Sequence, residues 1–273
     1  MTSFGERLAA TVADRGPLCA GIDPHATLLH EWGLADDVAG LERFALTAVE
    51  GLAPHVGVVK PQSAFYERFG SRGVAVLERV IAESRAAGAL VLLDVKRGDI
   101  GSTSQAYAEA YLDPSSPLAV DAVTASPFLG FGSLTPMFDT AAKHGAGVFV
   151  LGLTSNKEGP EVQSARVGTG ETVAQRIFDG LRRLNADARA AGALGSFGAV
   201  IGATIGDAEE DIDFGGPILA PGLGEQGGTP ADIRRIFGSL TVLPSSSRGL
   251  LRHGPDVAAL RDAARRTNDE LRG

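Results

Sequence analysis

At 273 residues the chain suits one α/β barrel or two smaller domains, and with 44% hydrophobic but only 6% aromatic residues its core must lean on Val, Leu, Ile and Ala. The net charge of −8, from 25 basic and 33 acidic residues without a long basic cluster, sets aside nucleic acid or an anionic membrane as the main partner. Cys19 is the single cysteine, no apolar run nears the ~20 residues of a membrane span, and Glu6, Arg7, Asp14 and Arg15 interrupt any secretory stretch, so a reducing, cytoplasmic setting is expected.

A short apolar run predicts a first strand over Leu18–Asp23, followed by an amphipathic helix over Val38–Leu52. Strand Val56–Lys60 and helix Val74–Ala87 come next, then strand Ala89–Asp94 and helix Thr103–Leu112. Strand Ala119–Thr124, helix Ser133–His144 and strand Gly147–Leu151 continue the alternation. A long polar, glycine-bearing connection, Thr154–Gly170, leads to helix Val173–Ala191 and strand Phe197–Ala203; connections of this length often serve as lids. A weaker, shorter helix over Asp207–Ile212 precedes strand Ile218–Ala220, helix Ala231–Phe237, strand Leu240–Pro244 and helix Val257–Leu271. The strands do not alternate polar with apolar, as expected when both faces are buried.

Local signals agree with this series. Ser102-Thr103-Ser104-Gln105 fits a capping box, Gly88 and Gly192 stand where left-handed C-caps are expected, and Thr229-Pro230 sets an N-cap before an N1 proline. Eight strands alternating with about eight helices, without a linker-like break, predict a single (β/α)8 barrel over 1–273. The rival, a doubly wound open sheet, ordinarily carries a glycine-rich turn after its first strand, and Gly21-Ile22-Asp23-Pro24 is not one.

In a barrel the chemistry belongs at the C-terminal ends of the strands. Asp23 ends the first, Lys60 the second, and Asp94 with Lys96 the third; Ser155, Gln226 and Arg248 follow the fifth, seventh and eighth. Charged strand ends are often merely solvated, and Asp99 would serve equally as a helix cap. Two lysines emerging directly from apolar runs are harder to dismiss, since lysine is rarely buried without a partner. The acid–base–acid run Asp94-Val95-Lys96-Arg97-Gly98-Asp99 sets up coupled ionisation. Pro221-Gly-Leu-Gly-Glu-Gln226-Gly-Gly228 and Ser245-Ser246-Ser247-Arg248-Gly249, after strands seven and eight, pair backbone N–H groups with a guanidinium, as a phosphate site requires. His25, His30, His55, His144 and His253 show no metal-ligand spacing, and only His25 falls near the rim.

Asp94-x-Lys96-x-x-Asp99-Ile100-Gly101-x-Thr103 resembles the signature of the orotidine 5′-phosphate decarboxylase family. Lys60 one strand earlier, the Pro221–Gly228 loop and Arg248 fit in order and spacing, and Ala125-Ser126-Pro127-Phe128-Leu129-Gly130 with Ser133-Leu134 resembles its longer bacterial branch. Ser247 departs from the family, where a glycine often precedes the arginine, and the loop around Ser155 is longer than in compact members. The resemblance implies conversion of orotidine 5′-monophosphate to UMP and CO2 by a homodimer, without metal or cofactor. In that scheme Lys96 is the general acid at C6, Asp94 faces the substrate carboxylate, and Lys60 holds Asp94 and contacts the ribose. Asp99 and Thr103 reach the partner's site, Asp23 binds a ribose hydroxyl, Gln226 and Arg248 bind the phosphate, and Ser155 contacts the pyrimidine. The competing readings are a magnesium-dependent sugar-phosphate decarboxylase or aldolase on the same barrel, a Schiff-base aldolase using Lys60 or Lys96, and a non-catalytic nucleotide-binding protein.

Overall fold

The computed structural model describes residues 2–206, 209–224 and 227–273. Its elements in chain order begin α1 (Phe4–Arg15), β1 (Cys19–Ile22), α2 (Ala26–Glu31), α3 (Val38–Leu52), β2 (Val58–Pro61), α4 (Ala64–Glu67) and α5 (Gly70–Ala86). They continue with β3 (Leu90–Arg97), α6 (Gly101–Leu112), β4 (Ala122–Ala125), α7 (Thr135–His144), β5 (Gly147–Leu153), α8 (Pro160–Gln163), α9 (Val173–Leu184) and α10 (Ala186–Ala190). The last are β6 (Phe197–Ile201), β7 (Ile218–Pro221), α11 (Pro230–Phe237), β8 (Val242–Ser246), α12 (Arg248–Leu251) and α13 (Val257–Arg272). The strands follow one another in sequence order around a closed barrel, so the expected (β/α)8 architecture holds. No helix among the described residues is long and apolar enough to cross a membrane.

By packing, the chain falls into two compact units, Ala10–Val95 with Ser245–Gly273, and Met1–Ala9 with Lys96–Pro244. In the first, β1 pairs in parallel with both β2 and β8, and β2 with β3. Val58, Val59, Val91, Leu92 and Leu93 are buried, as two-sided burial of a parallel sheet requires. Helix α3 starts where the Asp37 carboxylate accepts from the Gly40 N–H at 2.8 Å, and it buries Leu41, Phe44, Ala45, Ala48, Val49 and Leu52, a 3.6-residue stripe.

In the second unit β4, β5, β6 and β7 pair in parallel in turn. Thr229 and Asp232 form a reciprocal capping box at the start of α11, with Pro230 inside the first turn, as predicted from Thr229-Pro230. Gly88 and Gly192 take positive φ just past their helices, also as predicted.

Several boundaries differ from expectation. The capping box at Ser102–Gln105 does not form, because α6 begins at Gly101 behind Ile100, with no side-chain cap. The predicted strand Ala119–Thr124 is displaced: Ala119 and Val120 donate to the Ser116 and Tyr111 carbonyls, so the strand starts only at Ala122. A 3-10 turn over Phe131–Leu134 replaces the start of the helix expected from Ser133. The weak helix Asp207–Ile212 lies partly outside the described residues, and 209–212 are not helical.

The predicted helix Val173–Ala191 is broken at Asn185, which is buried. Its amide donates to the carbonyls of Phe197 (2.8 Å) and Phe214 (3.2 Å) and accepts from the Phe197 N–H (3.2 Å). Gly195 and Gly216 leave the space, since a Cβ at either would come within 2.2 and 2.7 Å of this amide. Asn185→Ala strands three buried backbone groups and is expected to lower the unfolding free energy by about 2–4 kcal/mol in a denaturant titration; a loss below about 1 kcal/mol would contradict this account.

Candidate active site

One face of four neighbouring strands carries the polar cluster. Side chains two apart share a face, and the printed register aligns Gly21 with Lys60, Cys19 with Ser245, and Gln62 with Asp94. That face reads Cys19-Gly21-Asp23 along β1, Val58-Lys60-Gln62 along β2, Leu90-Leu92-Asp94 along β3 and Ser245-Ser247 along β8. Gly21 is required by this packing, because a Cβ there would lie 2.5 Å from that of Ser247.

Lys60 Nζ donates to Asp94 Oδ2 at 3.2 Å, and the two residues are only 6% and 8% exposed. Burial alone would push the Lys60 ammonium down. The attraction of Asp94 and then Asp23 outweighs it, and Lys60 stays protonated well above the ordinary lysine range. The same burial pushes the Cys19 thiol up to about 12, which makes it an inert neighbour rather than a nucleophile. His25 packs against Phe65 with ring centroids 4.1 Å apart and planes tilted by 57°, and burial holds it below its ordinary value.

Three buried polar atoms on these strand ends, Asp23 Oδ1, Gln62 Oε1 and Ser247 Oγ, have no hydrogen-bond partner among the described residues. Arg248 is exposed and opens the short helix α12. Lys60, Asp94 and Asp23 are thus brought together, with Arg248 following β8. Ser247 was read from sequence only as part of the Ser245–Gly249 anion segment, and Gln62 not at all; for Gln62 the available signal was its place two residues beyond Lys60 on the same strand.

The second unit holds the remaining candidates. Lys96 is the one non-glycine residue with positive φ among the described residues (45°), and its N–H donates to Thr124 Oγ1 at 2.9 Å. The left-handed backbone at Lys96 breaks the pleat at the end of β3. The Ser126 N–H then donates to the Arg97 carbonyl at 2.8 Å, tying the loop after β4 to the end of β3. Asp99 Oδ1 accepts from the Ile100 N–H at 2.8 Å, and Thr103 lies exposed in the first turn of α6. Ser155 is exposed and lines a cavity of about 480 Å³ with Thr154, Asn156, Gln163, Arg166 and Glu210. Gln226 lies outside the described residues.

A family model described as "Orotidine 5'-phosphate decarboxylase / HUMPS family" matches residues 16–263. The chain belongs to this family. A relative from Nocardioides sp. named orotidine 5′-phosphate decarboxylase is 71% identical, covering 100% of both chains, and one of the same name from Streptomyces coelicolor is 59% identical over 100% of this chain and 98% of its own. A solved structure from Streptomyces avermitilis superposes with a TM-score of 0.96 at 60% identity, over 100% of this chain and 95% of that one. The Leishmania donovani OMP decarboxylase structure gives 0.75 at 30% identity, over 99% and 98%.

A left-handed non-glycine residue carries about 1 kcal/mol or more of strain, and such strain gathers at functional sites. Lys96→Gly is therefore expected to raise the unfolding free energy by about 1 kcal/mol in denaturant. A loss of stability would mean the lysine side chain stabilises the fold by more than its backbone strains it.

Proposed function

We propose that this chain converts orotidine 5′-monophosphate to UMP and CO2, acting as a carboxy-lyase. The observation that carries the reading is the buried Lys60–Asp94 pair on a face with three unsatisfied polar atoms, in a chain of this family. A charged pair at such low exposure adds little to stability compared with apolar residues of the same size, so its presence favours a catalytic use.

The C6–carboxylate bond breaks heterolytically, the electron pair stays on C6, and CO2 leaves. The Lys96 ammonium gives its proton to that pair, and the resulting amine is reprotonated from solvent. Asp94, paired with Lys60, faces the departing carboxylate. Two unit charges 4 Å apart at an effective dielectric near 20 repel by about 4 kcal/mol. That is well short of the ~23 kcal/mol an enzyme can supply, so stabilisation of the C6 anion by Lys96 in a preorganised site carries the larger share. Asp23 binds the ribose, Arg248 and Gln226 grip the phosphate, and Ser155 meets the pyrimidine. Phosphate binding remote from C6 supplies energy for ordering the loops around the reacting ring.

The chain works as one catalytic domain over 1–273, in the cytoplasm, as a homodimer. Ile100, Phe128 and Leu129 are 62%, 75% and 53% exposed and come from two loops tied together by the Ser126–Arg97 hydrogen bond. Apolar side chains presented together in this way suit a second copy of the chain, and Asp99 and Thr103 beside them then complete the partner's site.

Purified protein is expected to consume orotidine 5′-monophosphate and release UMP with no loss of rate in EDTA, whereas Lys96→Ala binds UMP with almost no turnover. Abolition by EDTA would favour the magnesium-dependent sugar-phosphate chemistry. Wild-type turnover by Lys96→Ala would exclude Lys96 as the acid. Mixing inactive Asp99→Ala with inactive Lys96→Ala should restore part of the activity through hybrid dimers. No recovery after verified subunit exchange would count against a shared site.

A further inference from the structure

Lys96 is the last residue but one of β3, and its backbone is left-handed, with φ 45°, the one such non-glycine among the described residues. A side chain there crowds the following carbonyl, so the conformation is strained and persists only where its surroundings impose it. Those surroundings come from β4 and the residue just after it. Thr124 Oγ1 accepts from the Lys96 N–H at 2.9 Å, and the Ser126 N–H donates to the Arg97 carbonyl at 2.8 Å. The Ser126 carbonyl lies so near Gly98 that a Cβ there would come within 2.2 Å of it. Three consecutive residues, 96 to 98, thus each meet this segment.

Thr124 is the rigid member of the set. It is 1% exposed, its place on β4 is set by the register that aligns it with Phe149 on β5, and a β-branched side chain has few rotamers. Its hydroxyl therefore stands at a fixed point, and the Lys96 N–H is drawn to it.

A hydroxyl that accepts a strand-end N–H could be no more than a staple for the turn. What separates the two roles is whose N–H it holds. In the decarboxylase reading above, on which this inference rests, Lys96 carries the proton for C6. Its ammonium ends a long side chain, so the direction in which the Cα–Cβ bond leaves the strand sets where the ammonium can reach, and φ sets that direction. A displacement of about 1 Å at a reacting group can cost on the order of a hundredfold in rate. We infer that Thr124 is a positioning residue for catalysis: by holding the Lys96 N–H, its hydroxyl fixes the left-handed turn that aims the ammonium at the reacting carbon. Without that bond the peptide is free to relax toward the extended region that a strand end prefers. Thr124 acts through Lys96 and needs no contact of its own with the nucleotide.

Thr124→Val keeps the shape of the side chain and removes the acceptor, whereas Thr124→Ser keeps the oxygen and loses only the methyl. For wild type and both variants the test measures kcat and KM on orotidine 5′-monophosphate, the affinity for UMP, and the unfolding midpoint in denaturant. Thr124→Val is expected to lose roughly tenfold to a hundredfold in kcat, with KM and UMP affinity little changed, because the groups that bind the nucleotide are untouched. Thr124→Ser is expected to recover most of that loss. A hydroxyl that only staples the fold would lower the unfolding midpoint and the UMP affinity together while kcat at saturation stayed near wild type, and that pattern would overturn the inference. An equal fall of kcat in Thr124→Ser and Thr124→Val would also overturn it, since packing rather than the acceptor would then be responsible. If Thr124→Val does not fold, Thr124→Ala removes the same oxygen and is read in the same way. Failure of wild type to consume orotidine 5′-monophosphate would instead sink the decarboxylase reading and this inference with it. Turnover by wild type with an unchanged kcat in Thr124→Val sinks the Thr124 assignment alone.

Discussion

The contact between Lys60 and Asp94 is the constraint around which its unit is arranged. Removing two charges from water is expensive, and their mutual attraction repays this only when geometry and further hydrogen bonds are favourable. Gly21 stands in register with Lys60, leaving room on β1 for both the lysine and the close approach of Ser247 from β8. Asp23 adds a second negative charge that holds the lysine protonated. Val58 and Leu92 lie lower on the same face of their strands and keep the pair's lower side dry. Such a pair maintains a carboxylate in its charged form where water is scarce, which is what a group meant to act on a bound anion requires.

Strain marks the end of β3, and unsatisfied polarity the ends of β1, β2 and β8. Lys96 sits in a backbone conformation that a lysine does not choose, pinned by the Thr124 hydroxyl, and Asp23, Gln62 and Ser247 keep buried polar atoms without partners among the described residues. Two buried asparagines elsewhere are bonded to the backbone. Asn268 accepts from the Leu18 N–H at 3.1 Å and donates to the Arg15 carbonyl at 2.8 Å, and Asn185 serves three backbone groups. Ser84 Oγ on α5 is also bare among the described residues, so an unsatisfied atom alone does not mark a site.

The barrel was legible because its strands are short apolar runs buried on both faces and its helices keep a 3.6-residue stripe, as in Leu41, Phe44, Ala45, Ala48 and Leu52. The charged run after β3 was legible for the same reason, since charges stand out at the end of an apolar strand. What escaped was set by tertiary hydrogen bonding. Asn185 reads as one more polar position in a long helix until the carbonyls of Phe197 and Phe214 are seen to need it. Gln62 reads as a strand exit until the register places it between Asp23 and Asp94. Helix α1 has a faint stripe in the sequence, because only Phe4, Gly5 and Leu8 of its twelve residues are buried. The left-handed turn at Lys96 has no local signal at all, because neither glycine nor asparagine stands there.

The central claim is that Asp94 is a fixed negative charge opposing the substrate's carboxylate. Equilibrium binding of intact orotidine 5′-monophosphate to turnover-deficient Lys96→Ala, with and without Asp94→Asn, measures this opposition directly, and UMP, which lacks the carboxylate, serves as reference. The account predicts that neutralising Asp94 tightens the substrate by about tenfold or more relative to UMP. Equal changes for both nucleotides, or weaker binding of the substrate, would contradict it.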